Sequence, residues 1–163
     1  MKRSFLLVAI AILMAAGSAP AQVSGKHAKE FQAFLIKLDA AQIEFHNGKA
    51  ADLEELYSHS DDVTLAGGTG GPIEKGWANV KKRLDAVTTH YSDAMQTNEL
   101  VSIDVVGELA CVIQYEHILF KVPGQTQRSE KDYRISMVFR YEKPGWRLLH
   151  RQADTLMQIQ PSK

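Results

Sequence analysis

Four side chains in the C-terminal half of this sequence have the types and spacing for chemistry on a small molecule. His150 and Asp154 are four residues apart, and a regular strand points both to one face. An imidazole with a carboxylate to orient it is the arrangement that general acid–base catalysis needs. The plainer reading hydrogen-bonds His150 within a sheet and pairs Asp154 with Arg134 or Arg151 at a rim. Glu116 and Arg134 fall on successive strands and meet across the sheet. There they either grip a polar ligand, the arginine offering a planar fork to a carboxylate, or form an ordinary cross-strand ion pair. The ion pair is the commoner outcome.

Other chemistries find little to work with. The histidines at 27, 46, 59, 90, 117 and 150 form no H-x-H or H-E-x-x-H pattern, so no metal site is expected. Gly67-Gly68-Thr69-Gly70-Gly71 lacks the G-K-[S/T] ending of a phosphate loop. It reads as a flexible flap or turn at a pocket rim, and no cofactor is expected. Cys111, the single cysteine, has no partner for an internal disulfide and sits in an apolar strand pattern as a small hydrophobe.

The elements that must position these residues are legible from periodicity. Phe31, Phe34, Leu35, Leu38, Ala41 and Phe45 recur at helical spacing, predicting a helix from His27 to Asn47 that Asn47-Gly48 ends. A short helix follows over Ala50 to Tyr57, then a strand over Val63 to Ala66 and the glycine loop. Trp77, Val80, Leu84 and Val87 mark a third helix. From Tyr91 the period changes to two. Val101, Ile103 and Val105 alternate with polar residues, Gly107-Glu108 turns, and Leu109 to Lys121 is a strand. Tyr133 to Glu142 and Trp146 to Asp154, joined at Lys143-Pro144-Gly145, form a long antiparallel hairpin. Helices first and a meandering antiparallel sheet last is α+β organisation. Such a sheet twists, and the space between its curled face and the helices becomes a pocket.

The N-terminus reads as a leader. Lys2-Arg3, the apolar run Phe5 to Ala16 and Ala19-Pro20-Ala21 have the three parts of a secretory signal, too short to span a bilayer comfortably. Residues 1–21 are expected to be removed, leaving 22–163 as one domain in the periplasm or outside the cell. The full chain has 19 basic and 19 acidic residues. Losing Lys2 and Arg3 leaves a net charge of about −2, with no electrostatic footprint for nucleic acid or an anionic membrane.

Three motifs carry a resemblance. Asn47-Gly48 through Leu56-Tyr57, followed by Asp61-Asp62-Val63-Thr64-Leu65, is similar to a "G-D…L…L-Y…D-D-V-x-L" pattern. Gly71-Pro72 to Gly76 leads into the third helix. Arg134 to Arg140 with Trp146 to Asp154 is similar to "R-x-T-x-V-F-R…W-R-I-V-H-R-H-x-S/D". Together they resemble the nuclear transport factor 2-like superfamily, in its SnoaL-like and ketosteroid isomerase-like branch. The resemblance implies a cone-shaped α+β fold, three N-terminal helices on a curved antiparallel sheet, a pocket at the wide end, and often a homodimer packed through the sheets. It also places Tyr57, Trp77 and Tyr91 at the pocket mouth, where aromatics suit flat apolar ligands. Helical spacing makes Trp77 ordinary core first. Ketosteroid isomerase chemistry needs an aspartate base and an oxyanion tyrosine. The matching positions here hold Gly67 and Ala41, so that activity is not expected. The function these readings favour is an exported binder of a small apolar or mixed-polarity molecule, without established catalysis. The alternatives are an isomerase, dehydratase or cyclase using His150 and Asp154, and an assembly or interaction domain, because this fold hosts all three classes.

Overall fold

The computed structural model describes residues 27–156. The expected leader, residues 1–21, lies outside them. Helix α1 (Ala28–Phe45) is followed by α2 (Ala51–Leu56), β1 (Thr64–Ala66), β2 (Glu74–Lys75) and α3 (Trp77–Thr88). Four long strands complete the chain: β3 (Ser92–Val106), β4 (Leu109–Lys121), β5 (Arg128–Glu142) and β6 (Gly145–Thr155). Among the described residues no helix is long and apolar enough to cross a membrane.

The α+β reading holds, with one correction to the sheet. It has six strands in the order β2-β1-β6-β5-β4-β3, and it is mixed rather than wholly antiparallel. The long strands form the expected meander, but β1 lies parallel to β6, Thr64 opposite His150. Parallel neighbours need a long connection, and α3 with the four strands β2 to β5 supplies it here. Strand β1 was expected over Val63 to Ala66, whereas β2, two residues long, leaves no periodic signal.

Helix α1 buries Phe31, Phe34, Leu38, Ala41, Gln42 and Phe45. They meet the inner sheet face, where Tyr133, Ile135, Met137 and Phe139 alternate along β5 and Trp146 and Leu148 lie on β6. The rings of Phe31 and Phe139 meet edge to face at 5.0 Å, a favourable aromatic geometry. Two of the sequence motifs clasp each other. Arg140 Nη1 donates to Asp62 Oδ2 at 2.7 Å, and Arg140 Nη2 to Glu142 Oε1 at 2.8 Å. The aspartate run before β1 is therefore a fastening between the helical segment and the hairpin.

One irregularity positions the site. Phe139 pairs with Leu148 and Val138 pairs with His150, so Leu149 is an extra residue with no partner. A bulge of this kind bends the strand and shifts its side-chain phase by one. Before the bulge Trp146 and Leu148 face the helices. After it Arg151 and Ala153 do, and both line the cavity.

Candidate functional site

A cavity of about 70 Å³ lies between the helices and the inner face of the sheet. Its walls are Gln42, Phe45 and His46 from α1, Leu53 from α2, Tyr57 just after it, and Leu84 and Val87 from α3. The floor is Leu65, Ile118, Tyr133, Arg151 and Ala153. Gly67, Gly68, Thr69 and Arg83 form the mouth.

The floor carries a buried ion pair. Arg151 Nη2 donates to Glu116 Oε2 at 2.5 Å. The Glu116 side chain is fully buried, and Arg151 keeps 15% of its side-chain surface. The other Glu116 oxygen accepts from Gln42 Nε2 and Gln114 Nε2, each at 3.3 Å. Gln42 Oε1 in turn accepts from Gln96 Nε2 at 3.2 Å. The carboxylate is thus enclosed by donors, as a buried charge must be. Burial opposes the charge on Arg151, but Glu116 beside it outweighs that and raises its pKa.

The groups around this pair hold their neutral forms. Burial, reinforced by the positive charge of Arg151, pushes His46 down to about 4, so its ring is uncharged at neutral pH. His46 Nδ1 and Gln96 Oε1 are the two buried side-chain atoms without a hydrogen-bond partner among the described residues. The Gln96 side chain lies close enough to act on the histidine as a hydrogen-bonding neighbour. Burial raises Tyr57 to about 12. Burial and the neighbouring Tyr91 raise Tyr133 further. The phenols therefore stay protonated and serve as donors.

The mouth is framed by the glycine loop. A Cβ on Gly68 would fall 2.4 Å from Tyr133 Cε1, so only glycine lets the backbone pass that ring. Arg83 Nη2 donates to Gly70 O at 2.9 Å and Thr69 Oγ1 at 3.3 Å, and Thr155 Oγ1 donates to Gly68 O at 3.0 Å. The rim reading of this loop is met.

The candidate residues divide. Tyr57 and Tyr91 line the cavity, and Glu116 lies beneath it, holding Arg151. Trp77 stands behind the wall. Its ring stacks on His59 at 4.0 Å and leans on Tyr57 at 6.3 Å, so the packing role fits it. His150, Asp154 and Arg134 are a correction, because all three face the outer side of the sheet. His150 Nδ1 bonds Thr64 Oγ1 at 2.7 Å, and burial lowers its pKa. Asp154 is half exposed and stands 4.0 Å from Arg134. The even spacing did put His150 and Asp154 on one face, but the Leu149 bulge made that the outer one. Glu116 accordingly pairs with Arg151 and not with Arg134.

Arg151, His46, Gln42, Tyr133 and Arg83 were missed. Gln42 and His46 lie four apart beside the apolar stripe of α1, and Tyr133 opens the inward alternation of β5. Those signals were available. Nothing in the sequence marks the bulge that turns Arg151 inward.

Residues 38–157 match the family model described as the SnoaL-like domain. No curated protein matches the chain in sequence. Among solved structures, a ketosteroid isomerase-like protein from Erwinia carotovora atroseptica superposes with a TM-score of 0.67 at 14% identity, over 83% of this chain and 100% of that one. A candidate dehydratase of the nuclear transport factor 2-like family from Streptomyces avermitilis gives 0.66 at 18%, over 80% and 96%. A Thiobacillus denitrificans protein named for the calcium/calmodulin-dependent protein kinase type II association domain gives 0.64 at 17%, over 77% and 94%. At these identities the likeness is one of fold, and the three descriptions differ in kind.

Proposed function

Since this chain belongs to the SnoaL-like domain family, within the nuclear transport factor 2-like superfamily, we propose that it binds a small, largely apolar molecule in the cavity between its helices and its sheet. The observation that carries this reading is the Arg151 guanidinium. It sits in an otherwise mostly apolar cavity, and among the described residues only Glu116 accepts from it. An arginine has five N–H donors; those that Glu116 does not take are not among the buried unpartnered atoms, and they open on the cavity that Arg151 lines. A ligand acceptor supplies the missing partner. The leader-like residues 1–21 extend the reading to an exported protein cut after Ala21, which N-terminal sequencing of the secreted form tests.

The experiment for binding is native mass spectrometry of protein purified from its own host. A co-purifying small molecule, lost when Ala153 is enlarged to leucine to fill the cavity, is the expected result. A clean apo mass, with no shift on incubation with cell extract, overturns the reading.

A second reading, an isomerase- or dehydratase-type enzyme, is favoured by the neutral His46 beside Tyr91, ring centroids 4.9 Å apart. Its acid–base groups would have to be these cavity residues. Turnover is what separates an enzyme from a binder.

A further inference from the structure

The groups that open into the cavity are almost all donors. Both oxygens of Glu116 are taken, one by Arg151 and the other by Gln42 and Gln114. The oxygen of Gln42 is taken by Gln96. Among the described residues no carboxylate at the cavity is left to receive an amine or other cation. What remains among the described residues is the unspent part of the Arg151 fork, the hydroxyls of Tyr57 and Tyr133, the latter beside Tyr91, and one neutral ring nitrogen, His46 Nδ1.

The charges point the same way. Glu116 cancels Arg151. Among the described residues, Arg83 at the mouth bonds only the neutral acceptors Thr69 Oγ1 and Gly70 O and has no carboxylate partner. His46 is uncharged at neutral pH. The cavity and its mouth therefore carry one net positive charge, in a partly enclosed site where charge counts for more than in water. A neutral carbonyl would use the donors and leave that charge unmatched. A monoanion meets both demands, and a planar carboxylate fits a guanidinium edge through two parallel hydrogen bonds.

On these grounds we infer that the ligand is a small organic carboxylate, its carboxylate seated on the free edge of Arg151 beside the Tyr57 hydroxyl, with Arg83 at the mouth supplying the unmatched positive charge. The inference rests on the reading that this cavity binds a ligand. Size bounds the rest of the molecule. The cavity of about 70 Å³ is about half of the ~150 Å³ void that takes up benzene. A short aliphatic acid suits the cavity as it stands, and a ring-bearing acid needs the Gly67–Gly71 loop to give way.

The test compares acids with their neutral amides on the purified protein. Butyrate and butyramide, then benzoate and benzamide, are titrated by NMR at neutral pH. The acids are expected to bind at least about tenfold tighter, a difference of about 1.4 kcal/mol, with shifts centred on Arg151 and Tyr57. Arg83→Gln is expected to weaken the acids several-fold and leave the amides unchanged. Arg151→Lys keeps the charge beside Glu116 but loses the fork, and is expected to erase most of the preference. Amides binding as tightly as acids would overturn the carboxylate while leaving cavity binding intact. An acid preference untouched by both variants would place the anion elsewhere and overturn the seat on Arg151. Failure of every probe, together with a clean apo mass from the host, would sink the binding reading itself. If Arg151→Lys does not fold, the ratio of acid to amide on the unaltered protein still decides.

Discussion

At the residue scale the Glu116–Arg151 pair holds the floor of the cavity. A fully buried carboxylate cannot keep its charge without the guanidinium, so removing one partner should cost more than removing both. Arg151→Ala is expected to destabilise by about 3–5 kcal/mol in urea unfolding. The double variant Glu116→Gln/Arg151→Met keeps an oxygen for Gln42 and Gln114 and should cost clearly less than Arg151→Ala. Equal losses would mean that the pair is not coupled. His46 gives a pH dependence with a definite sign. Its folded pKa, about 4, lies below the ordinary histidine value of 6.5. The unfolded chain therefore takes up this proton first, and stability falls as pH drops from 6.5 toward 4. Between pH 7 and pH 5 the loss from this group is about 2 kcal/mol. Urea unfolding of the native protein and of His46→Gln at both pH values should show that increment in the first and not in the second.

At the element scale the decisive feature is the bulge in β6. Leu149 is the extra residue between two paired segments. Removing it should leave Val138 opposite His150 and Phe139 opposite Leu148, with Arg151 still facing inward. Deletion of Leu149 is expected to fold, at the cost of an ordinary substitution, about 0.5–3 kcal/mol. Inserting a glycine after Leu149 is different. Two extra residues restore the alternation, so Arg151 and Ala153 still face inward, but β6 slips by two residues against β5, which carries Arg151 away from Glu116 and orphans it. Loss of cooperative unfolding in the insertion, with retention in the deletion, is the expected pair of results by circular dichroism. The opposite pair would show that the bulge does not set the phase.

At the scale of the whole molecule the question is what covers the outer sheet face. Cys111, Ile113, Tyr115 and Val138 adjoin there, ringed by Arg134, His150 and Asp154. Val106 and Leu109 are exposed at one end of it. A broad face with this much apolar surface is costly when left wet, and a second copy of the same face is the simplest cover. We propose a homodimer through this face, in which His150, Asp154 and Arg134 belong to the contact rather than to the cavity. Light scattering should give twice the monomer mass at micromolar concentration, and Ile113→Glu should return it to monomer. A monomer mass for the unaltered protein would refute the dimer.

The fold was legible because its signals are repetitive. The helical stripe from Phe31 to Phe45 and the alternation from Tyr133 to Phe139 each repeat one periodicity several times, and one misread residue does not change the answer. The departures from ketosteroid isomerase at Ala41 and Gly67 were equally plain, being matters of residue type at a motif position. Tyr57 and Tyr91 were expected at the pocket from the resemblance, and they line the cavity; Glu116 was expected to meet Arg134 and instead holds Arg151. The identity of the polar anchor was not legible. It depends on parity along β6, and parity is reset by a single unpaired residue whose presence only the pairing with β5 reveals. Composition and spacing fixed which side chains this protein owns and which elements carry them. The tertiary structure decided which face each one meets, because facing depends on strand register, a property of two strands together.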